Sequence, residues 1–130
     1  MLRVGDPGEQ RLFAVRGAVQ ADANEADAIL EATGELMREL IARNQLTPDG
    51  MVSCLFTVTD DLDAEFPAVA ARAAGLASVP LLCSREIPVP GSMSRVIRAM
   101  VHYHAPIDHA PQHVYLGPTQ ALRSDLHAAQ

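Results

Sequence analysis

The chain has 130 residues, 48% of them hydrophobic and 20% charged, which fits one globular domain with its own core. A formal net charge of −6 and an aromatic content of 4%, with no Trp, argue against nucleic acid as a partner and against base-stacking platforms. All 10 basic side chains are Arg, so lysine Schiff-base or nucleophile chemistry is excluded. No apolar run reaches the roughly 18 residues that a membrane span needs. The opening "MLRVGDPGEQ" has no apolar h-region, so no secretory signal is expected. Cys54 and Cys83 match no metal-ligand or redox spacing, and both are expected as reduced thiols in the cytosol.

In chain order, residues 1–10 read as an N-terminal extension to a single domain, 11–130. "RLFAVRGAVQ" (11–20) predicts a first strand that ends near Gly17. "ADANEADAILEATGELMRELIARN" (21–44) predicts a helix capped by Asp22 or Asn24. Its apolar stripe is Ile29, Thr33, Leu36 and Leu40, widened by Met37 and Ile41. "TPDG" (47–50) is a turn, and "MVSCLFTVT" (51–59) is a strand dense in apolar and β-branched residues. In "DDLDAEFPAVAARAAG" (60–75), Pro67 starts a short helix that Gly75 ends. "SVPLLCSREI" (78–87) predicts a third strand, and "PVPGS" (88–92) turns the chain into the next. "PIDHAPQHVYLGP" (106–118) suggests a short helix between turns, and "TQALRSDL" (119–126) a last short strand. The order gives an α/β or α+β domain, with a mixed five-stranded sheet, one long helix and two short ones. One long helix cannot cover both faces of such a sheet. The second face must meet water, a ligand or another subunit, and its apolar content favours a subunit.

The strand in "SRVIRAMVHYH" (94–104) poses the chemical question. Alternation puts Ile97, Ala99, Val101 and Tyr103 on a core face and Val96, Arg98, Met100 and His102 on the other. A guanidinium between Val96 and Met100 calls for an anionic partner if it is buried, because an unpaired buried charge is costly. Arg16 at a strand end, Arg72 on the short helix, Glu86 on a strand expected beside that of Arg98, and Tyr115 and Arg123 near the C-terminus complete the polar candidates. Singly, each has an ordinary surface or core explanation.

Together the segments form an ordered set: R-G-A after the first strand, D-L-x-A-x-F-P-A-x-A-x-R, V-P-x-x-C-x-x-E, I-R in the next strand, H-V-Y-L and L-R-x-D-L. This set resembles the trimeric α/β (AroH) class of chorismate mutases, from about Phe13 to Leu126. Val69 stands where some members of that class carry a basic residue.

The resemblance implies a cytoplasmic homotrimer with a pseudo-barrel core and sites at subunit interfaces. The implied reaction is the intramolecular [3,3] rearrangement of chorismate to prephenate, in aromatic amino acid biosynthesis. It needs no cofactor, metal or nucleophile. What it needs is a compact substrate conformer and stabilisation of charge on the ether oxygen as the C–O bond breaks. By position in the pattern, Arg98 is the donor to that oxygen, and Glu86 accepts from the substrate hydroxyl and balances ring charge. Arg16 and Tyr115 bind a carboxylate, and the Leu82–Cys83 segment contacts the hydroxyl and ring without thiol chemistry. Phe66, Ala68 and Arg72 form a wall supplied by a neighbouring subunit, while Leu122 and Arg123 close the site. A dry pocket would make Arg98 more effective. Cys83 and Glu86 are three apart, so a bulge or strand end near Ser84–Arg85 is expected if both face one pocket.

Two other readings fit parts of the sequence. His102 with His104, and His109 with His113, have spacings that could suit a metal. No carboxylate or Cys completes a ligand pattern, so they read as solvated or interface histidines. The other is a YjgF-like trimeric imine deaminase or metabolite-binding regulator; a binding module without catalysis would keep Arg16 but would not need Glu86 or Arg98, and both are present.

Overall fold

A computed structural model describes residues 8–123. Five strands form one sheet: β1 (Gln10–Gln20), β2 (Met51–Val58), β3 (Leu81–Arg85), β4 (Val96–Pro106) and β5 (Val114–Tyr115). Their order across the sheet is β3-β2-β4-β1-β5. β4 is antiparallel to both β1 and β2, while β3 runs parallel to β2 and β5 parallel to β1, so the sheet is mixed. The long helix α1 (Ala26–Asn44) and the short helix α2 (Pro67–Ala71) pack on one face. Ile29, Leu36, Met37 and Leu40 of α1 close over Val15, Phe56, Ile97 and Val101 in one core.

Gly17 makes the close approach of α1 possible. A Cβ there would meet Leu36 Cδ1 at 2.8 Å and the Val114 carbonyl at 3.0 Å. β1 therefore does not stop at Gly17 as expected, but continues to Gln20, paired with β4 throughout. The helix begins later than the periodicity predicts. Glu25 is at the N-cap without a side-chain bond. Asn24 is used elsewhere: its side-chain oxygen accepts from the backbone N–H of Asp63 and Ala64, at 3.0 and 3.1 Å.

Pro67 opens α2 as expected, the helical path runs on past Ala71, and Gly75 at φ 104° breaks it with a kink, as expected. β3 is shorter than predicted. The C-terminal expectations are reversed. The region read as a short helix holds β5, which adds only two residues to the sheet. The region read as a last strand is a 3-10 helix (Gly117–Ala121), and residues 124–126 of that expectation lie outside the described part, as do residues 1–7. Among the described residues, no helix is long and apolar enough to cross a membrane.

Candidate active site

The sheet face away from α1 carries the even-numbered side chains of β1 and β4. Register places Arg98 beside Thr57 of β2 and Ala18 of β1, and Arg16 beside Met100. Arg16, Leu55, Thr57, Glu86, Arg98 and Tyr115 line one cleft of about 280 Å³ on this face. The anion that Arg98 calls for is Glu86: Arg98 Nε lies 3.3 Å from Glu86 Oε2. The two are not on adjacent strands, as the sequence suggested. β2 runs between them, and the Thr57 hydroxyl donates to the same carboxylate oxygen. Glu86 follows the end of β3, where its backbone N–H is held by the Val58 carbonyl at 2.8 Å. In the single chain Arg98 is 46% exposed and Glu86 25%, so the cleft is not yet the dry pocket expected.

The turn into β4 fixes where Arg98 falls. Arg95 takes φ +54°, a left-handed conformation that a non-glycine residue needs help to hold. Asp61 accepts its backbone N–H at 3.0 and 3.2 Å, and the Arg95 Nε–H donates to the Ala21 carbonyl at 2.9 Å. Thr59 accepts from Val96 N–H at 3.0 Å and donates to Asp61. Asp61 of the D-L motif is thus a structural anchor for β4. Sequence reasoning missed both Asp61 and Thr57. The only signal for Asp61 was its place in the motif, and Thr57 was visible only as an outward-facing position in a strand.

The opposite end of the cleft is built by β1 and β5. Tyr115 pairs with Ala18, and Leu116 N–H donates to the Ala18 carbonyl at 3.0 Å. Thr119, fully buried, donates to that same carbonyl at 3.1 Å. The Arg16 backbone N–H donates to His113 Nδ1 at 3.0 Å. Leu122 lines an adjoining cleft with Arg98, Glu86 and Val89. Arg123 acts on His113: burial first, then the charges of Arg16 and Arg123, hold the imidazole pKa below its ordinary value. His109 is not a solvated side chain, since its Nε2 lies 2.7 Å from the Tyr103 hydroxyl.

The remaining expected residues lie elsewhere. Leu82 is on the open face, paired with Leu55, and 63% exposed. Cys83, one residue on, pairs with the core residue Phe56 and packs partly against the core, so its thiol lies on the helix side of the sheet. The strand end expected near Arg85 is present, but it re-aims Glu86 and not Cys83. Only the backbone at Cys83 is left to serve the Arg98 face. Burial, with Cys83 beside it, pushes the Cys54 thiol up to about 12, so this group is a protonated core thiol. Phe66 is 67% exposed and lines a cleft with Cys83 and Pro67, Ala68 is buried, and Arg72 is exposed on the turn after α2. The sheet stands between this group and Arg98, so one chain brings together Arg16, Glu86, Arg98 and Tyr115 but not Phe66 or Arg72.

Fold and cleft thus define an α+β domain with two guanidiniums, a carboxylate and a phenol converging on an open sheet face. Residues 12–126 match the family model of type I chorismate mutases. Over 119 residues the chain is 42% identical to chorismate mutase AroH of Thermus thermophilus, covering 89% of this chain and 97% of that one. To the AroH enzyme of Bacillus subtilis it is 36% identical over 115 residues, covering 86% and 90%. A solved structure of a chorismate mutase from Clostridium thermocellum superposes with a TM-score of 0.80 at 43% identity, covering 85% of this chain and 99% of that one. The chain belongs to the type I chorismate mutase family.

Proposed function

We propose that the Arg98 cleft rearranges chorismate to prephenate by holding the reactive conformer and stabilising the breaking ether bond. The observation that carries this reading is the Arg98–Glu86 pair, with Arg16 and Tyr115 lining the same cleft. Chorismate has two carboxylates, an enolpyruvyl ether and a ring hydroxyl. Arg16 and Tyr115 take a carboxylate, and Glu86 accepts from the hydroxyl while its charge faces the electron-poor ring. Arg98 donates to the ether oxygen, where charge grows only as the bond breaks, so it binds the transition state better than the substrate. Thr57 holds Glu86 in place. No proton moves and no covalent intermediate forms. The product feeds aromatic amino acid biosynthesis.

The same reading makes the chain a homotrimer. Leu12, Leu55 and Leu82 are exposed on the open face, and Phe66 is exposed on the other side of the sheet. A neighbour would cover the apolar positions, dry the Arg98 cleft and bring Phe66 and Arg72 to it, with Leu122 and Arg123 at the rim; Ala68, buried in its own core, would only support that wall. The direct test is incubation of purified protein with chorismate. The absorbance of chorismate should fall and prephenate should appear one for one, without added metal or cofactor. A chain that leaves chorismate unchanged contradicts the proposal.

A further inference from the structure

We propose that His113 is a positioning residue for this site: its imidazole ties the Arg16 segment of β1 to the Tyr115 segment of β5. The inference rests on the reading of the cleft as the chorismate site. β5 is only two residues long, so backbone pairing alone holds Tyr115 weakly. Three side chains supply the rest. Buried Asn44, at the end of α1, grips Gln112 on both sides: Gln112 N–H donates to its Oδ1 at 2.7 Å, and its Nδ2 donates to the Gln112 carbonyl at 3.0 Å. Thr119 closes the other end on the Ala18 carbonyl. Between them, the ladder of β1 and β5 begins only at Gly17 and Val114. The Arg16 N–H, one residue earlier, finds a ring nitrogen in place of a carbonyl: His113 Nδ1, at 3.0 Å. The residue that is to bind a carboxylate and the strand that carries Tyr115 are therefore locked together by one imidazole.

An imidazole nitrogen accepts only when unprotonated, so this tether exists only with the neutral ring in its Nε2–H form. The charged groups acting on the ring among the described residues are Arg16 on β1 and Arg123 just after the 3-10 helix. Both disfavour the imidazolium, as does burial. The contact on the α1 side, through Asn44 and Gln112, is uncharged. The tether is thus maintained at neutral pH and lost in acid.

The test compares His113→Ala with His113→Asn, whose side-chain oxygen can stand where Nδ1 stands. Losing one hydrogen bond that aligns a substrate-binding Arg should raise KM about five- to tenfold, with kcat within about twofold. The Asn variant should recover KM to within about twofold, because the acceptor is restored. The pH profile separates positioning from bulk stability. Wild-type KM should rise on the acid side of the ordinary imidazole range, and the Asn variant should lack that rise. An Asn variant as impaired as the Ala variant, or sharing the wild-type acid limb, overturns the proposal. Should the Ala variant fail to fold, the Asn variant and the pH comparison still decide. A wild-type chain inert toward chorismate would overturn the functional reading instead. Hydrogen exchange at the Arg16 amide then decides the tether: protection at neutral pH that is lost in acid upholds it, and exchange that acid does not change overturns it.

Discussion

The two faces of the sheet use the same alternation for opposite ends, and β4 shows both. Its odd-numbered residues Ile97, Ala99, Val101 and Tyr103 are buried against the helices, where their worth is packing. Its even-numbered Arg98 and Met100 face the open side, where a half-exposed guanidinium sits among apolar neighbours. On the proposed reading, only the covered face is complete within one chain. The covered face fixes the register of β1, β2 and β4, and that register decides which polar groups meet on the other side. Substitutions a single residue apart should therefore separate stability from chemistry.

The largest separation is expected at Arg98. Removing a preorganised donor from a developing oxyanion costs about 3–4 kcal/mol, so Arg98→Ala should lower kcat at least ~100-fold. Its melting temperature should stay near wild type. Arg98→Lys should recover little, because the forked geometry is lost. One position earlier, Ile97→Ala should do the reverse. Emptying a fully buried site costs about 2–5 kcal/mol of stability, read by denaturant unfolding. The kcat of its folded fraction should remain near wild type.

Gly17 tests whether the faces are coupled. An added methyl meets Leu36, Leu40 and the Val114 carbonyl, so Gly17→Ala should cost about 1–3 kcal/mol in overpacking. It should also raise KM, because relief requires β1 or β5 to move beside Arg16 and Tyr115. Loss of stability with unchanged KM would show that the faces are independent.

Smaller again is Thr57→Val. It removes the hydroxyl that fixes Glu86 and should lower kcat/KM about fivefold, the scale of one hydrogen bond, with little change in stability. Least of all should be the pH response of kcat, nearly flat between about pH 6 and 9 because no proton is transferred. A bell-shaped kcat profile near neutrality would point to acid–base catalysis instead. Below neutrality stability should decline as pH falls. The lowered pKa of His113 in the folded chain means that the unfolded chain takes up its proton first, so this contribution is present above the ordinary imidazole range and lost as pH falls below it.

The covered face was legible in the sequence because packing writes itself as period. The odd residues of β4 and the stripe of α1 are where alternation and helical spacing put them. Elements held by side chains were not legible. β5 is too short to show a period, and Asn44, His113 and Thr119 hold it across long sequence separations. The start of α1 was misplaced because Asn24 suits an N-cap and the 63–64 loop equally, and only the fold says which it serves. In the site, the meeting of Arg16, Glu86 and Arg98 was implied by the family resemblance, but the intervening β2 and the bridging Thr57 were not read, since strand order is not local information. The side of Cys83 was readable by parity from Leu82.

The central claim is that the open face is half of a site and that a neighbouring chain supplies the Phe66–Arg72 wall. Its most direct test mixes two chains, each inactive alone: Arg98→Ala and Arg72→Ala, unfolded in equal amounts and refolded together. In a three-membered ring of head-to-tail contacts, every mixed ring has one interface that joins two unmutated halves. Random assembly makes about three quarters of the rings mixed, so about one quarter of wild-type activity should return. With exchange of subunits confirmed by mass and wild-type refolding controls intact, a mixture that stays inactive would contradict the shared site.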